Sequence, residues 1–283
     1  KGMCTRTEAE RLLAFCNNSG PAFILGVVGA GIFASSTVGV LLYLAHALAS
    51  VCVGLMFRFY KAGEDGYGGK KRPPAPQFQA QRFSVAFTGS VKSAFLSTLN
   101  ICAFVVFFTV VIQLLIRSGF LPGLARMLGT VLAPFGLTPE WAQRLLTGAL
   151  EISSGVSTLS EGGALSSRLT MAAFMLGWAG LSVHCQVLSF IGGSGLSVGT
   201  YLVGKLLHGG LSALFIGVLV RFVPLNAPVS NYLADQVAGI AGMEFHGALT
   251  ASILAAWMIF LGFLLAAALG SRKKLGKRRK PVV

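Results

Sequence analysis

Side chains able to bind a ligand are concentrated in three short stretches of an otherwise apolar chain: Asn17-Asn18-Ser19-Gly20-Pro21, Glu151-Ile152-Ser153-Ser154-Gly155-Val156-Ser157, and Ser182-Val183-His184-Cys185-Gln186. Glu151 carries the most information, because it is an acid inside the mostly apolar run from Leu145 to Leu159. Removing an ionised carboxylate from water costs several kcal/mol even after relaxation, so such a residue is expected to face a cavity, a partner or a ligand path. The hydroxyls, amides and imidazole of the other positions supply donors and acceptors without any nucleophile, base and orienter spacing. They fit a binding lining and not a catalytic triad, so no enzyme is expected. Cysteines 4, 16, 52, 102 and 185 show no CxxC or Cys/His ligand spacing, so neither a disulfide, a metal nor a cofactor is implied.

Lys205 and His208 stand three apart on an apolar run, on one face of a helix. A cation there either neutralises Glu151 structurally, meets an anionic ligand, or reaches along its aliphatic stem to the membrane surface. His46 and His246 read as helix-interface and loop residues, and Arg58, Arg117 and Arg221 as interfacial anchors. Each polar residue also has a plain structural use. Ser and Thr bond their own helix carbonyls, and a membrane Asn or Gln holds helices together. It is their company with Glu151 that favours a site.

The elements that must position these residues follow from composition. With 54% hydrophobic residues, 11% charged residues and 36 glycines, and a mean hydropathy of +0.74, the chain reads as an all-α integral membrane protein with the lipid bilayer as its first partner. Its net charge is +14, and its basic residues cluster in one loop and one tail beside apolar runs, a topology signal that argues against a nucleic-acid partner. Six segments are long enough to cross a hydrocarbon core: 12 to 34, 37 to 59, 96 to 117, 165 to 191, 197 to 222 and 248 to 270. Between residues 61 and 82 stand five Lys or Arg in a Gly- and Pro-rich loop, with seven more from Arg272 to Lys280 and none from 223 to 247. The positive-inside rule then places the loop, the tail and both termini in the cytoplasm. An even number of crossings between the basic segments requires that 141 to 160 does not cross, and its Ser-Ser-Gly-Val-Ser centre suits a re-entrant hairpin. Residues 83 to 96 are expected to form a lead-in surface helix, and 121 to 137 to lie along the outer interface.

Two apolar runs are interrupted. Asn-Asn-Ser-Gly-Pro breaks the first at residues 17 to 21, and glycines and polar groups break the fourth between 177 and 186. Such pairs point to a binding site built from inverted repeats, while glycine-driven helix packing accounts for the glycines alone. The chain opens Lys-Gly-Met without a signal-peptide pattern, and Arg6 to Arg11 lead straight into an apolar run, so an N-terminally truncated chain is expected.

The segment from Arg6 to Gly26, with Leu150-Glu151-Ile152-Ser153-Ser154-Gly155 and Gly180-Leu181-Ser182-Val183-His184-Cys185-Gln186, resembles the sporulation integral membrane protein YlbJ family, part of the wider group with nucleoside-recognition, or Gate, domains. The resemblance implies an inverted-repeat fold like one part of the concentrative nucleoside transporters, with re-entrant hairpins paired with broken helices. It divides the chain into the second part of a first repeat (1 to 60), a cytoplasmic loop and lead-in helix (61 to 95), a second repeat (96 to 270) and a basic tail (271 to 283). It places Asn17, Ser19 and Gly20 in the first recognition segment, Glu151, Ser153 and Ser154 in the second hairpin, and Ser182 and Gln186 in its partner helix. Ala179-Gly180 stands where a glycine pair is more usual.

The substrate-binding set expected overall is Asn17, Asn18, Ser19, Gly20, Glu151, Ser153, Ser154, Ser157, Ser182, His184, Gln186 and Lys205. The function implied is movement of a small metabolite, dipicolinic acid first, across a bacterial cell or forespore membrane. A nucleoside transporter and a non-transporting scaffold for spore assembly are the alternatives. A carboxylate repels a dianion unless it is protonated or holds a cation, so Glu151 is expected to take a coupling proton or sodium ion, or a ring nitrogen, in the first case and sugar hydroxyls in the second. A homo-oligomer is compatible with either.

Overall fold

The computed structural model describes residues 4–61 and 82–223, with Trp257 and Leu261 as helical residues beyond them. The chain divides into two units, Lys1–Ala227 and Pro228–Val283. Nearly everything described lies in the first. Among the described residues the secondary structure is helical throughout, and four helical stretches are long and apolar enough to cross a membrane: Ser36–Phe57, Phe83–Arg117, Leu165–Ile191 and Val198–Phe222. These match the expected spans at 37, 96, 165 and 197. The expected sixth span, 248 to 270, and most of the basic loop and tail lie outside the described residues.

The expected first span is two shorter pieces. Helix α1, Arg6–Cys16, starts at Thr5, whose hydroxyl accepts from the Glu8 amide while the Glu8 carboxylate accepts from the Thr5 amide. This reciprocal cap satisfies donors that the first turn leaves free. The helix stops at Asn17, and after Pro21 the chain continues as a π-helical segment, Ala22–Ile32. An eleven-residue π-helix is long for a form that usually occurs as single-turn bulges. Helix α2, Ser36–Phe57, follows with Ser35 as its cap.

Helix α3, Phe83–Arg117, runs unbroken for 35 residues, so the separate lead-in helix expected at 83 to 96 is continuous with the span that follows. Nothing between Phe83 and Arg117 stops it, as this stretch holds no proline and only Gly89 among helix-weakening residues. Most of its large apolar side chains face outward, Phe87, Phe95, Leu99, Phe107 and Leu114 among them, as suits a lipid-facing helix. Residues 121 to 137 form helix α4, Phe120–Val131, and a short 3-10 turn, Ala133–Phe135. Helix α4 packs on α5, Pro139–Leu150, with Gly129 against the Pro139 backbone.

The chain then doubles back. Helix α5 ends at Leu150, the next residue, Glu151, is extended (φ −145°, ψ 123°), and the short helix α6, Ile152–Ser157, returns along it. Side chains on the facing positions would keep the two apart: a Cβ added at Gly155 would stand 2.1 Å from the Gly148 Cα. Arg144 on α5 closes the open end by donating to the carbonyls of Glu161 and Gly162. The next span is helix α7, Leu165–Trp178, and helix α8, Gly180–Ile191, separated at Ala179. Helix α9, Val198–Phe222, crosses α7 where Gly177 meets Gly209, a Cβ on the former falling 2.6 Å from the Cα of the latter. Such small-residue contacts let membrane helices approach closely. The core, from Ile24 and Val28 through Leu42 to Leu169, Leu176 and Ile216, joins the π-helical segment, α2, α6, α7 and α9.

Candidate functional site

The three interruptions in the helices come together. At the first, Asn17 to Gly20 leave the helical path, and Pro21 resumes it. At the second, Glu151 is at once the C-terminal cap of α5 and the N-terminal cap of α6. At the third, Ala179 (φ 75°) and Gly180 (φ 82°) turn the chain through left-handed backbone. Gly180 sits against Gly148 O and Ile152 N so closely that an added Cβ would be 3.1 Å from each. Only glycine meets both the conformation and the space there.

Each break exposes main-chain carbonyls that have no water to turn to at membrane depth. Side chains of neighbouring breaks and of α9 take them. The Ser19 hydroxyl donates to Leu176 O at 3.4 Å, the Trp178 indole to Ala149 O at 3.3 Å, and Lys205 Nζ to Asn17 O at 2.9 Å. Asn18 Nδ2 donates to Phe15 O and to Ser50 Oγ, closing the end of α1.

Between the breaks lies a cavity of about 350 Å³. Seven of the residues expected from sequence line it: Asn17, Asn18, Ser19, Gly20, Glu151, Ser153 and Gln186. Phe23, Ile101, Val105, Ile152, Ala179 and Val183 complete the wall. This mixture of apolar surface with a few convergent polar groups is the usual make-up of a small-molecule site. Glu151 is fully buried, and its two oxygens accept from the amides of Ser153 (2.9 Å) and Ser154 (2.6 Å). The acid therefore caps α6, and a carboxylate so held keeps its remaining lone pairs for a ligand.

The other expected residues stand apart from the cavity wall. Ser182 is buried one turn behind Gln186, whose Nε2 lies 3.5 Å from its hydroxyl. His184 is buried, with Nδ1 3.0 Å from Tyr201 Oη and its ring edge-on to Trp178. Tyr201 Oη also accepts from Asn17 Nδ2 at 3.0 Å. Lys205 is fully buried behind Asn17. Ser154 and Ser157 face a different cavity, of about 530 Å³, with Thr109, Gln113, Gln143 and Thr147. Adjacent positions on a helix point about 100° apart, which separates Ser153 from Ser154.

Tyr201, Phe23 and His46 were not singled out as site residues by the sequence. Tyr201 lies four residues before Lys205 on the same helix face, a spacing that marks it as a neighbour. His46 is buried against α9, its ring 4.3 Å from that of His208. Nothing in the sequence around His46 separates this from an ordinary helix-interface histidine.

Comparison with known proteins agrees with the resemblance carried by the motifs. Residues 98–194 match the family model described as Gate, nucleoside recognition. The chain is 29% identical over 230 residues to the sporulation integral membrane protein YlbJ of Bacillus subtilis (strain 168), covering 76% of this chain and 56% of that protein. It thus spans little more than half the length of this relative. No solved structure matches it. With described residues that are helical throughout, four spans long and apolar enough to cross a membrane, and these sequence matches, the chain is an integral membrane protein that is similar to YlbJ and contains a region matching the Gate nucleoside-recognition model.

Proposed function

We propose that this protein moves a small metabolite across a membrane during sporulation, with dipicolinic acid as the cargo. One observation carries the reading: three helix breaks meet around a single polar-and-apolar cavity of about 350 Å³. Broken helices meeting at one point are the construction by which membrane transporters bind a solute, and the volume lies at the small end of ligand sites, roughly 300–1,000 Å³. Ser153 and Gln186 offer hydroxyl and amide donors to carboxylates, Phe23 and Val183 offer apolar surface to a ring, and Lys205 stands one residue behind the wall. The similarity to a protein named for sporulation supports the setting.

A nucleoside is the second reading, and a specific observation favours it. Among the described residues Glu151 is the one ionisable carboxylate on the cavity wall, and a carboxylate accepts hydrogen bonds from sugar hydroxyls without repelling a neutral ligand. The nucleoside-recognition description of the matching family points the same way.

The two readings part in a binding measurement on the purified chain. Dipicolinate at about 100 times its dissociation constant is expected to stabilise the fold by about 2.7 kcal/mol, seen as a raised thermal midpoint, with uridine failing to displace it. Stabilisation by uridine alone supports the nucleoside reading. No stabilisation by either removes the transport reading and leaves a scaffold role in spore assembly. Glu151→Gln is expected to weaken whichever ligand binds, since the amide replaces one acceptor oxygen by a donor aimed at a backbone amide.

A further inference from the structure

A second polar cluster lies directly behind the cavity, buried between α2 and α9. Lys205, His208 and His46 are 0%, 0% and 2% exposed. Lys205 Nζ donates to Asn17 O at 2.9 Å and lies 3.4 Å from His208 Nδ1, and His208 Nε2 lies 3.0 Å from the His46 carbonyl. A carbonyl only accepts, so Nε2 carries a proton and Nδ1 faces Lys205 as the acceptor. The His46 ring stacks at 4.3 Å from that of His208, and neither of its nitrogens bonds another described residue. Among the described residues no carboxylate pairs with Lys205.

Among the described residues the titratable groups nearest this pair are imidazoles, and no carboxylate bonds it. From α2 the facing titratable group is His46. From α8, His184 hydrogen-bonds Tyr201, one turn before Lys205, packs edge-on to Trp178 and lies within range of the Lys205 charge without bonding it. Helix α7 meets α9 at this level through Gly177, and its Arg168 is bonded to the Leu159 and Ser160 carbonyls at the hairpin. On α1, Glu10 accepts from the Ser197 amide, two turns from Lys205, and Cys16 precedes the break without a bond to the pair. An ammonium buried with no counter-charge is expensive, whereas an amine hydrogen-bonded to an imidazole is not.

Resting on the transport reading, we infer that the Lys205–His208 pair is the protein's exchangeable proton site and that Asn17 links its occupancy to the cargo cavity. The pair holds one proton beyond its neutral state, either as a third hydrogen on Nζ or on His208 Nδ1 with Nζ left an amine. Loss of that proton leaves both groups neutral and keeps the Nε2 bond to His46. Asn17 touches both sides: its carbonyl accepts from Lys205 while the residue lines the cavity. An anionic cargo in the cavity favours the protonated pair, and its departure favours release. Glu151 caps α6, its two oxygens accepting from the Ser153 and Ser154 amides.

The test uses the full chain, labelled with ¹⁵N-histidine, in phospholipid nanodiscs. Across roughly pH 5 to 9, a window centred on titrating imidazole, one histidine is expected to keep its Nε2 proton while its Nδ1 resonance moves in a single step. His208→Asn identifies that signal by its loss. The step is expected to vanish in Lys205→Met and equally in Lys205→Arg, whose guanidinium does not give up its proton. A wild-type His208 signal that never moves, or one that moves unchanged in both Lys205 variants, overturns the assignment. In proteoliposomes an inward-directed proton gradient, acid outside, is expected to accelerate dipicolinate uptake about tenfold or more in the wild type and to lose that effect in Lys205→Arg. Wild-type vesicles that take up none refute transport, while the spectroscopic step still decides the proton site.

Discussion

Ala179 is a small residue under visible strain. Its φ of 75° is left-handed, a conformation that costs a residue with a Cβ roughly 1–2 kcal/mol relative to glycine. The site needs that turn, because it sends α8 off from the point where Gly180 packs on the hairpin. Ala179→Gly is therefore expected to raise stability by up to about 1 kcal/mol, read as a higher thermal midpoint in detergent. An unchanged or lowered midpoint would show that the alanine methyl, which lines the cavity, contributes more by packing than it costs in strain. At this same scale the sequence was legible where chemistry is rare. Glu151 announced itself by being an acid in an apolar run, and Asn17 to Gly20 by preceding a proline. Ser154 and Ser157 were grouped with Glu151 by proximity in sequence, but helical rotation turns them to another cavity.

Among elements, the hairpin of α5 and α6 depends on contact between bare backbones. A Cβ at Gly148 would fall 2.5 Å from Met175 Sδ, and one at Gly155 would fall 2.1 Å from the Gly148 Cα. The first collision is with a flexible thioether, the second with main chain that has nowhere to go. Gly155→Val is thus expected to be the more damaging change, beyond the 1–3 kcal/mol typical of overpacking, with loss of folded protein on size exclusion; Gly148→Ala is expected to survive with a lowered midpoint. The reverse order would mean that α6 does not lie against α5. Sequence reasoning reached this hairpin through length and charge parity, and both breaks through their glycines, proline and polar residues. The extent of α3 escaped it because Phe83 to Leu96 carries too few polar residues to separate a surface helix from the continuation of a span. The π-helical geometry of Ala22–Ile32 escaped it because apolar periodicity does not distinguish five-residue from four-residue hydrogen bonding.

Over the whole described unit, one acid joins elements that are far apart in the chain. Glu10 is buried and accepts from Arg6 Nε (3.1 Å), from the Ser197 amide (3.0 Å) and from Tyr60 Oη (3.4 Å), with Lys61 Nζ at 3.7 Å. It thereby ties α1 to the end of α2 and the start of α9. Burial alone would raise its pKa, but the Ser197 amide with Arg6 and Lys61 outweighs burial and holds it below the ordinary glutamate value. A depressed folded pKa means that its contribution is complete above the unfolded value, near about 4.3, and is lost as pH falls through the lower folded value. Glu10→Gln is expected to lower stability by about 1–3 kcal/mol at neutral pH, and the gap between variant and wild type to close below about pH 4. Midpoints measured against pH check this, and a gap that persists in acid would show that Glu10 acts through shape and not charge. This clasp is not legible in the sequence, because Tyr60 and Ser197, which bond Glu10, lie far from it along the chain.

The hydrogen bonds that close the three breaks also bear on what the cavity admits. Trp178 holds a carbonyl of the hairpin and Lys205 holds one of the first break, yet neither lines the space between them. The aperture is therefore calibrated from outside, by side chains a solute never meets. Substitutions that alter which solutes fit will map in part to this outer ring, where a search confined to the wall would not look.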